Sequence, residues 1–181
     1  MWLSSPFPSL PVLSVISLLS CSLTEVAGQL NPSCAPGGNF DLSGFQLEMP
    51  TGTTDNPTVK TPAQLSGCNG YSDSTYFYTD KSDGAMVMYV PGDPATTGCV
   101  KWKESDHCRT ELGQVSDRWD PWGPHNRMTA TLTVTAAGGN TCIGQVFHAD
   151  PLKPSAELYY EDSGRIYSMS LLNELTDGLG V

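Results

Sequence analysis

Short strand-like runs follow one another from Phe40 to the end of the chain, each cut off by Gly, Pro, Asn or Asp. No segment carries the 3.6-residue apolar period of an amphipathic helix. This pattern most constrains the fold. Arg127-Met-Thr-Ala-Thr-Leu-Thr-Val-Thr135 alternates apolar and threonine positions, as a strand with one wet face does. Phe40–Met49 reads as a first strand, and residues 50–70 as turns. Thr75–Thr79 and Ala85–Val90 read as two strands joined by Asp80-Lys-Ser-Asp-Gly84, which has hairpin chemistry. Further strands are predicted at 107–115, 127–135, 142–149, 156–161 and 164–172, with Ser163-Gly164 as a turn. There is no internal repeat. The 18 Gly and 14 Pro suit many strands joined by turns. The expected fold is all-β, a jelly-roll β-sandwich.

The segment 1–28 is apolar from Phe7 to Leu23 and ends in the small-residue exit Val26-Ala27-Gly28, as a secretory signal peptide does, although no Lys or Arg precedes the apolar run. Pro6, Pro8, Pro11 and several serines leave that run short for a membrane span. The expected organisation is therefore a leader over 1–28 and one domain over 29–181, in an extracellular protein. Removal of the leader takes Cys21 and leaves Cys34, Cys68, Cys99, Cys108 and Cys142, whose spacings match no zinc pattern. Export implies disulfides. Five is odd, so one cysteine is left over, and the spacing does not reveal the connectivity. The formal net charge of −10 disfavours nucleic acid and anionic membranes as partners. An anionic ligand would need a local cationic site.

Lys101-Trp-Lys-Glu-Ser-Asp-His-Cys-Arg-Thr-Glu-Leu-Gly113 supplies one. In an extended strand His107, Arg109 and Glu111 share a face, so an imidazole, a guanidinium and a carboxylate meet there, with Lys101 and Lys103 just upstream. An ordinary surface strand with an Arg–Glu pair reads the same way. The second segment is Thr141-Cys-Ile-Gly-Gln-Val-Phe-His148. Alternation sets Gln145 and Phe147 on one face, and Val146 and His148 on the other. An amide in a strand of Ile, Val and Phe must find a partner, solvent or ligand. His148 reads equally as a structural histidine.

Arg109-Thr-Glu-Leu112 resembles the R-[S/T]-E-L motif of the alginate lyases of polysaccharide lyase family 7, and Gln145-Val146 stands where that family carries Gln-Ile/Val-His. His107-Cys-Arg-Thr-Glu-Leu112 followed by Gln145-Val-Phe-His148 is more similar still to the fungal glucuronan lyases of polysaccharide lyase family 20. The resemblance runs from about residue 38 to the end. It implies a β-jelly roll with an open cleft and β-elimination on an acidic, 4-linked uronate polysaccharide, glucuronan or alginate-like. In that reading Arg109 and Gln145 neutralise the uronate carboxylate and His107 is the base. Glu111 orients Arg109, while Lys101, Lys103 and His148 contact substrate. No cofactor is required and a monomer is expected. A structural calcium ion suits such sandwiches, but no ligand set is legible.

There are two departures. Phe147 occupies the slot of the family 7 histidine, and the late Tyr-Lys-x-Gly-x-Tyr-like strand that carries the families' catalytic tyrosine has no counterpart. With a strand-like run close to Val181 and an odd cysteine count, the expectation is a chain lacking C-terminal strands, poorly stable and inactive as written. Tyr159 or Tyr167 is next in line as the acid should it prove active. Two other classes fit the composition. One is a glycoside hydrolase built on carboxylates such as Glu157, Glu161 and Asp162. The other is a non-catalytic carbohydrate-binding sandwich that stacks sugars on Trp102, Trp119, Trp122 or Tyr71.

Overall fold

The computed structural model describes residues 29–115, 127–149 and 152–170; the side chains of His148, Ala149, Leu152 and Ser170 lie outside that description. The leader, Cys21, Trp119 and Trp122, and the segment 171–181 also lie outside it. The described chain is all-β: eight strands and three single-turn helices.

Strand β1 (Phe45–Thr53) is the centre of the first sheet, flanked by β2 (Asn56–Lys60) and β5 (Glu111–Gln114), both antiparallel to it. Alternation along β1 sends Leu47 and Met49 into the core, where they pack with Leu42, Leu65 and Phe77. Gln46 and Glu48 take the opposite face. The register sets Leu47 against Leu112 and Glu48 against Glu111. One hydrophobic and one acidic pair thus mark the two faces of the sheet.

The turn-rich reading of 50–70 missed β2. A two-residue turn at Thr54-Asp55 links β1 to β2, with Asp55 at φ 59°, a conformation that Asp tolerates better than most residues. Gly52 sits at the β1 irregularity, and a Cβ there would lie 2.4 Å from the Asn56 carbonyl oxygen. After β2, Thr61 caps the helical turn Pro62–Leu65. The Thr61 hydroxyl accepts from the Gln64 N–H, and the Gln64 side chain accepts from the Thr61 N–H. This reciprocal cap delivers Leu65 to the core.

The predicted hairpin forms. β3 (Phe77–Thr79) and β4 (Met86–Met88) pair antiparallel, and Asp80 closes the connection by accepting from the Ser82 N–H. A third sheet is the meander β6 (Asn140–Ala149), β7 (Leu152–Glu161) and β8 (Ile166–Ser170), with Gly164 at φ 83° in the β7–β8 turn.

Three expectations shift. The first strand begins at Phe45 rather than Phe40, because Pro36–Asn39 forms a helical turn that Phe40 closes onto the Pro36 carbonyl. The strand expected over 107–115 shrinks to Glu111–Gln114. Cys108 is tied to Cys99, and the Thr110 hydroxyl donates to the Tyr89 carbonyl, so the approach to β5 is a loop. Residues 127–135 alternate but join no ladder among the described residues, and Met128 and Leu132 are exposed. Alternation states which face a strand would bury; a strand still needs a partner to pair with.

The left-over cysteine among the described residues is Cys142, since Cys34 pairs with Cys68 and Cys99 with Cys108. Both bridges fit an oxidising, exported setting. No helix among the described residues is long and apolar enough to cross a membrane.

Candidate functional site

The loop from Cys99 to Thr110 positions the candidate cation. Its disulfide spans nine positions and holds the ends together. Inside it, the Ser105 hydroxyl donates to the His107 carbonyl at 3.0 Å and lies 3.2 Å from the His107 N–H. The same hydroxyl oxygen accepts from Nη1 of Arg109 at 2.7 Å, and the His107 carbonyl accepts from Nη1 at 3.4 Å. One end of the guanidinium is therefore fixed by its own loop.

The other end meets Glu111. Nε of Arg109 lies 3.3 Å from Oε2 of Glu111, and Nε2 of Gln145 donates to Oε1 at 3.0 Å. A single carboxylate thus orders two donors whose sequence positions are 36 apart, one before β5 and one on β6. It joins the polar face of the first sheet to the third sheet. Sequence reasoning had selected all three residues, and the structure brings them together.

Glu48 is the member that the sequence reading missed. It lies directly across β1–β5 from Glu111, and its Oε2 accepts from the Trp102 indole N–H at 2.7 Å. Burial raises its pKa above the ordinary carboxylate value, and the neighbouring Glu111 adds to the rise. The Trp102 hydrogen bond and Arg109 oppose it. Its Oε1 is buried without a hydrogen-bond partner among the described residues. A signal was present: Glu48 is the lone acid in the apolar run Phe45-Gln-Leu-Glu-Met49.

The third sheet extends the polar surface. Gln145 stands opposite Glu157, and Cys142 opposite Tyr159, so these four share one face. Tyr159 also stacks on Tyr167 of β8, ring centroids 5.5 Å apart. Burial, and then the Glu157 charge and hydrogen bond, push the Tyr159 hydroxyl up to about 12. It stays protonated across the neutral range. Burial likewise raises the Cys142 thiol.

Other candidates fall elsewhere. His107 is exposed and lies outside β5, so strand alternation does not set its direction; its imidazole makes no hydrogen bond or ion pair with the described residues. Lys103 is exposed, and Lys101 lines a shallow hollow with Thr53, Asp55, Pro94 and Cys99. The ladder slips between Val146 and Phe147, which breaks the alternation used to face His148; its side chain lies outside the described residues. Of the carboxylates considered for hydrolysis, Glu161 is taken by Arg165 and Ser163, and Asp162 accepts from the Gly139 N–H. Those two hold a turn. No group of three or more His, Cys, Asp or Glu among the described residues is arranged to hold a metal ion.

What the cluster can do chemically is bind a carboxylate. A guanidinium and a primary amide, prearranged by one acid at a sheet surface, offer charge-assisted hydrogen bonds to a planar anion. A family model described as alginate lyase matches residues 40–175, which include all eight strands and the whole cluster. A search of curated proteins finds no match.

Proposed function

The chain belongs to the alginate lyase family, and from that premise we propose that it is a secreted lyase that cleaves a 4-linked uronate polysaccharide, glucuronan or alginate-like, by β-elimination. Membership makes it a polysaccharide lyase with an acidic polysaccharide as substrate. The specific polymer, the jelly-roll layout, the residue roles, the absence of any required cofactor and the monomeric state are parts of the proposal.

The observation that carries it is the Arg109–Glu111–Gln145 cluster. A uronate C5 proton is weakly acidic while the C6 carboxylate is charged. Arg109 and Gln145 supply positive charge and N–H donors where negative charge grows as that proton leaves. Glu111 holds both donors and takes no part in proton transfer. The base removes the C5 proton, the C4–O4 bond breaks, a C4=C5 double bond forms, and O4 leaves with a proton from the acid. His107 is the base in this reading, since a ring nitrogen of its imidazole can accept the proton. Tyr159 takes the place of the late family tyrosine as the acid, and with it the chain is active as written, contrary to the expectation drawn from the missing strand: Tyr159 shares the face of Gln145 and keeps its proton at neutral pH. Lys101, Lys103 and Arg109 place three cationic side chains in one loop, interleaved with Glu104 and Asp106, and those cations are the groups that an anionic chain would meet there.

One observation favours hydrolysis instead: Glu48 and Glu111 are cross-strand neighbours, a spacing that a carboxylate pair could use. Each is already engaged, Glu111 by two donors and Glu48 by Trp102, which speaks against that use. Incubating the protein with glucuronan and with alginate separates the classes. Elimination yields unsaturated ends that absorb near the ultraviolet edge. Reducing ends without that absorbance would mean hydrolysis, and binding without new ends would mean a binding module.

A further inference from the structure

Trp102 is held in a way that ordinary surface packing does not require. It sits inside the loop closed by Cys99–Cys108, its indole N–H donates to Glu48, and 39% of the residue is exposed. A disulfide limits the loop and a hydrogen bond orients the ring, yet much of its apolar surface faces water. Glu48 is half-buried on the polar face of β1, where Arg109 is a nearby positive charge and the indole its hydrogen-bond donor. Leaving a carboxyl there raises its pKa and, among the described residues, strands Oε1 without a partner and leaves the indole as the hydrogen-bond donor to Oε2. Because Glu48 and Glu111 are direct cross-strand partners, the ring is anchored about one strand spacing, ~4.8 Å, from the Glu111 cluster. That is close to the length of one sugar residue in a 4-linked chain. The neighbouring Lys103 is exposed and can meet a carboxylate carried by that residue.

We propose that Trp102 is a stacking platform for the uronate residue next to the one whose carboxylate meets Arg109 and Gln145, and that Glu48 is the positioning residue that sets the ring. The chemistry suits the ligand. One face of a pyranose presents C–H groups and packs on a flat aromatic ring, while the charged edge of the sugar stays in water near Lys103. A rigid aromatic on a braced loop also loses little conformational freedom on binding. The inference rests on the proposed uronan-cleaving function, because the cluster supplies the reference point for the subsite.

The test compares glucuronic acid, a single residue, with a glucuronan hexasaccharide on the full chain, by calorimetric binding of both and by steady-state release of unsaturated ends from the hexasaccharide. Trp102→Leu keeps apolar volume and removes the flat ring. It should raise KM and Kd for the hexasaccharide on the order of tenfold. It should spare the monosaccharide, whose carboxylate meets Arg109 and Gln145 and which is too short to reach the ring as well. Trp102→Phe keeps a flat ring but has no N–H for Glu48, so it should recover only part of the loss. Glu48→Ala, which leaves the ring in place without its anchor, should show the same partial loss as Trp102→Phe, while Glu48→Gln, which still offers an oxygen to the indole, should not. Thermal melts check folding; if the Leu variant does not melt cooperatively, Trp102→Phe and Glu48→Ala carry the comparison. Wild-type hexasaccharide binding in Trp102→Leu, or an equal loss at both lengths, would overturn the subsite. If the unmodified protein binds the hexasaccharide without producing unsaturated ends, the proposed reaction fails, and the Kd ratios still decide the subsite. If it neither binds nor cleaves, both fall.

Discussion

Replacing Glu111 by Gln tests the cluster at its joint. The carboxylate offers one oxygen to Arg109 and the other to Gln145, at 3.3 and 3.0 Å. An amide has only one oxygen, so Glu111→Gln must turn an NH2 group toward one of the two donors. An unsatisfied donor at a buried site costs about 1–3 kcal/mol. Here the Arg109 and Glu111 side chains are 26% and 36% exposed, so water offsets part of the loss. The ion pair itself adds less than about 1 kcal/mol at that exposure. The sum is about 1.5 kcal/mol, which for a domain of this size lowers Tm by roughly 3–6 °C. The catalytic effect should be larger than the stability effect suggests. If Glu111 aims both carboxylate-binding donors, misplacing either by about 1 Å costs up to roughly 100-fold. The assay is a thermal melt with kcat/KM for unsaturated-end release from glucuronan and alginate, and Glu111→Ala as the more severe variant. A lowered Tm with wild-type kcat/KM would reduce Glu111 to a structural tie between two sheets. No change in either would sink the account of the cluster.

Arg109→Lys should lose most of the activity, since one ammonium cannot keep the Ser105 and Glu111 contacts together and still present a fork to substrate; near-wild-type turnover would remove Arg109 from the site. His107→Ala should abolish elimination while His148→Ala mainly lowers Tm, and the reverse pattern in the same assay would move the base to β6. The folded-state pKa of Glu48 is raised, so its protonated form contributes stability that is fully present below about 4.5 and is lost as pH rises through the folded value. Glu48→Gln should therefore gain Tm relative to wild type as pH climbs just above 4.5, and a constant difference between the two Tm profiles would contradict the burial of that carboxyl.

Local sequence determined a good part of this. The β3–β4 hairpin follows from Asp80-Lys-Ser-Asp-Gly84, where a side-chain oxygen and a positive-φ glycine close the turn within a few residues. The β7–β8 turn at Ser163-Gly164 is the same kind of signal. Arg109 and Glu111 were legible as partners because they are two residues apart, and Gln145 because an amide among Ile, Val and Phe needs a partner. That the partner would be Glu111 was not legible, since nothing local relates positions 111 and 145. The same limit hid Glu48: its alternation with Leu47 and Met49 shows that it leaves the core, but only the β1–β5 register sets it against Glu111. Alternation misled at 127–135, where the pattern is present and no ladder forms among the described residues, and at 107–110, where the Cys99–Cys108 bridge holds a loop. Periodicity and turn chemistry are settled among neighbours, within the reach of a few backbone dihedrals. Strand pairing, disulfide choice and a carboxylate shared across two sheets depend on which distant segments close on one another, and that was decided only in the folded chain.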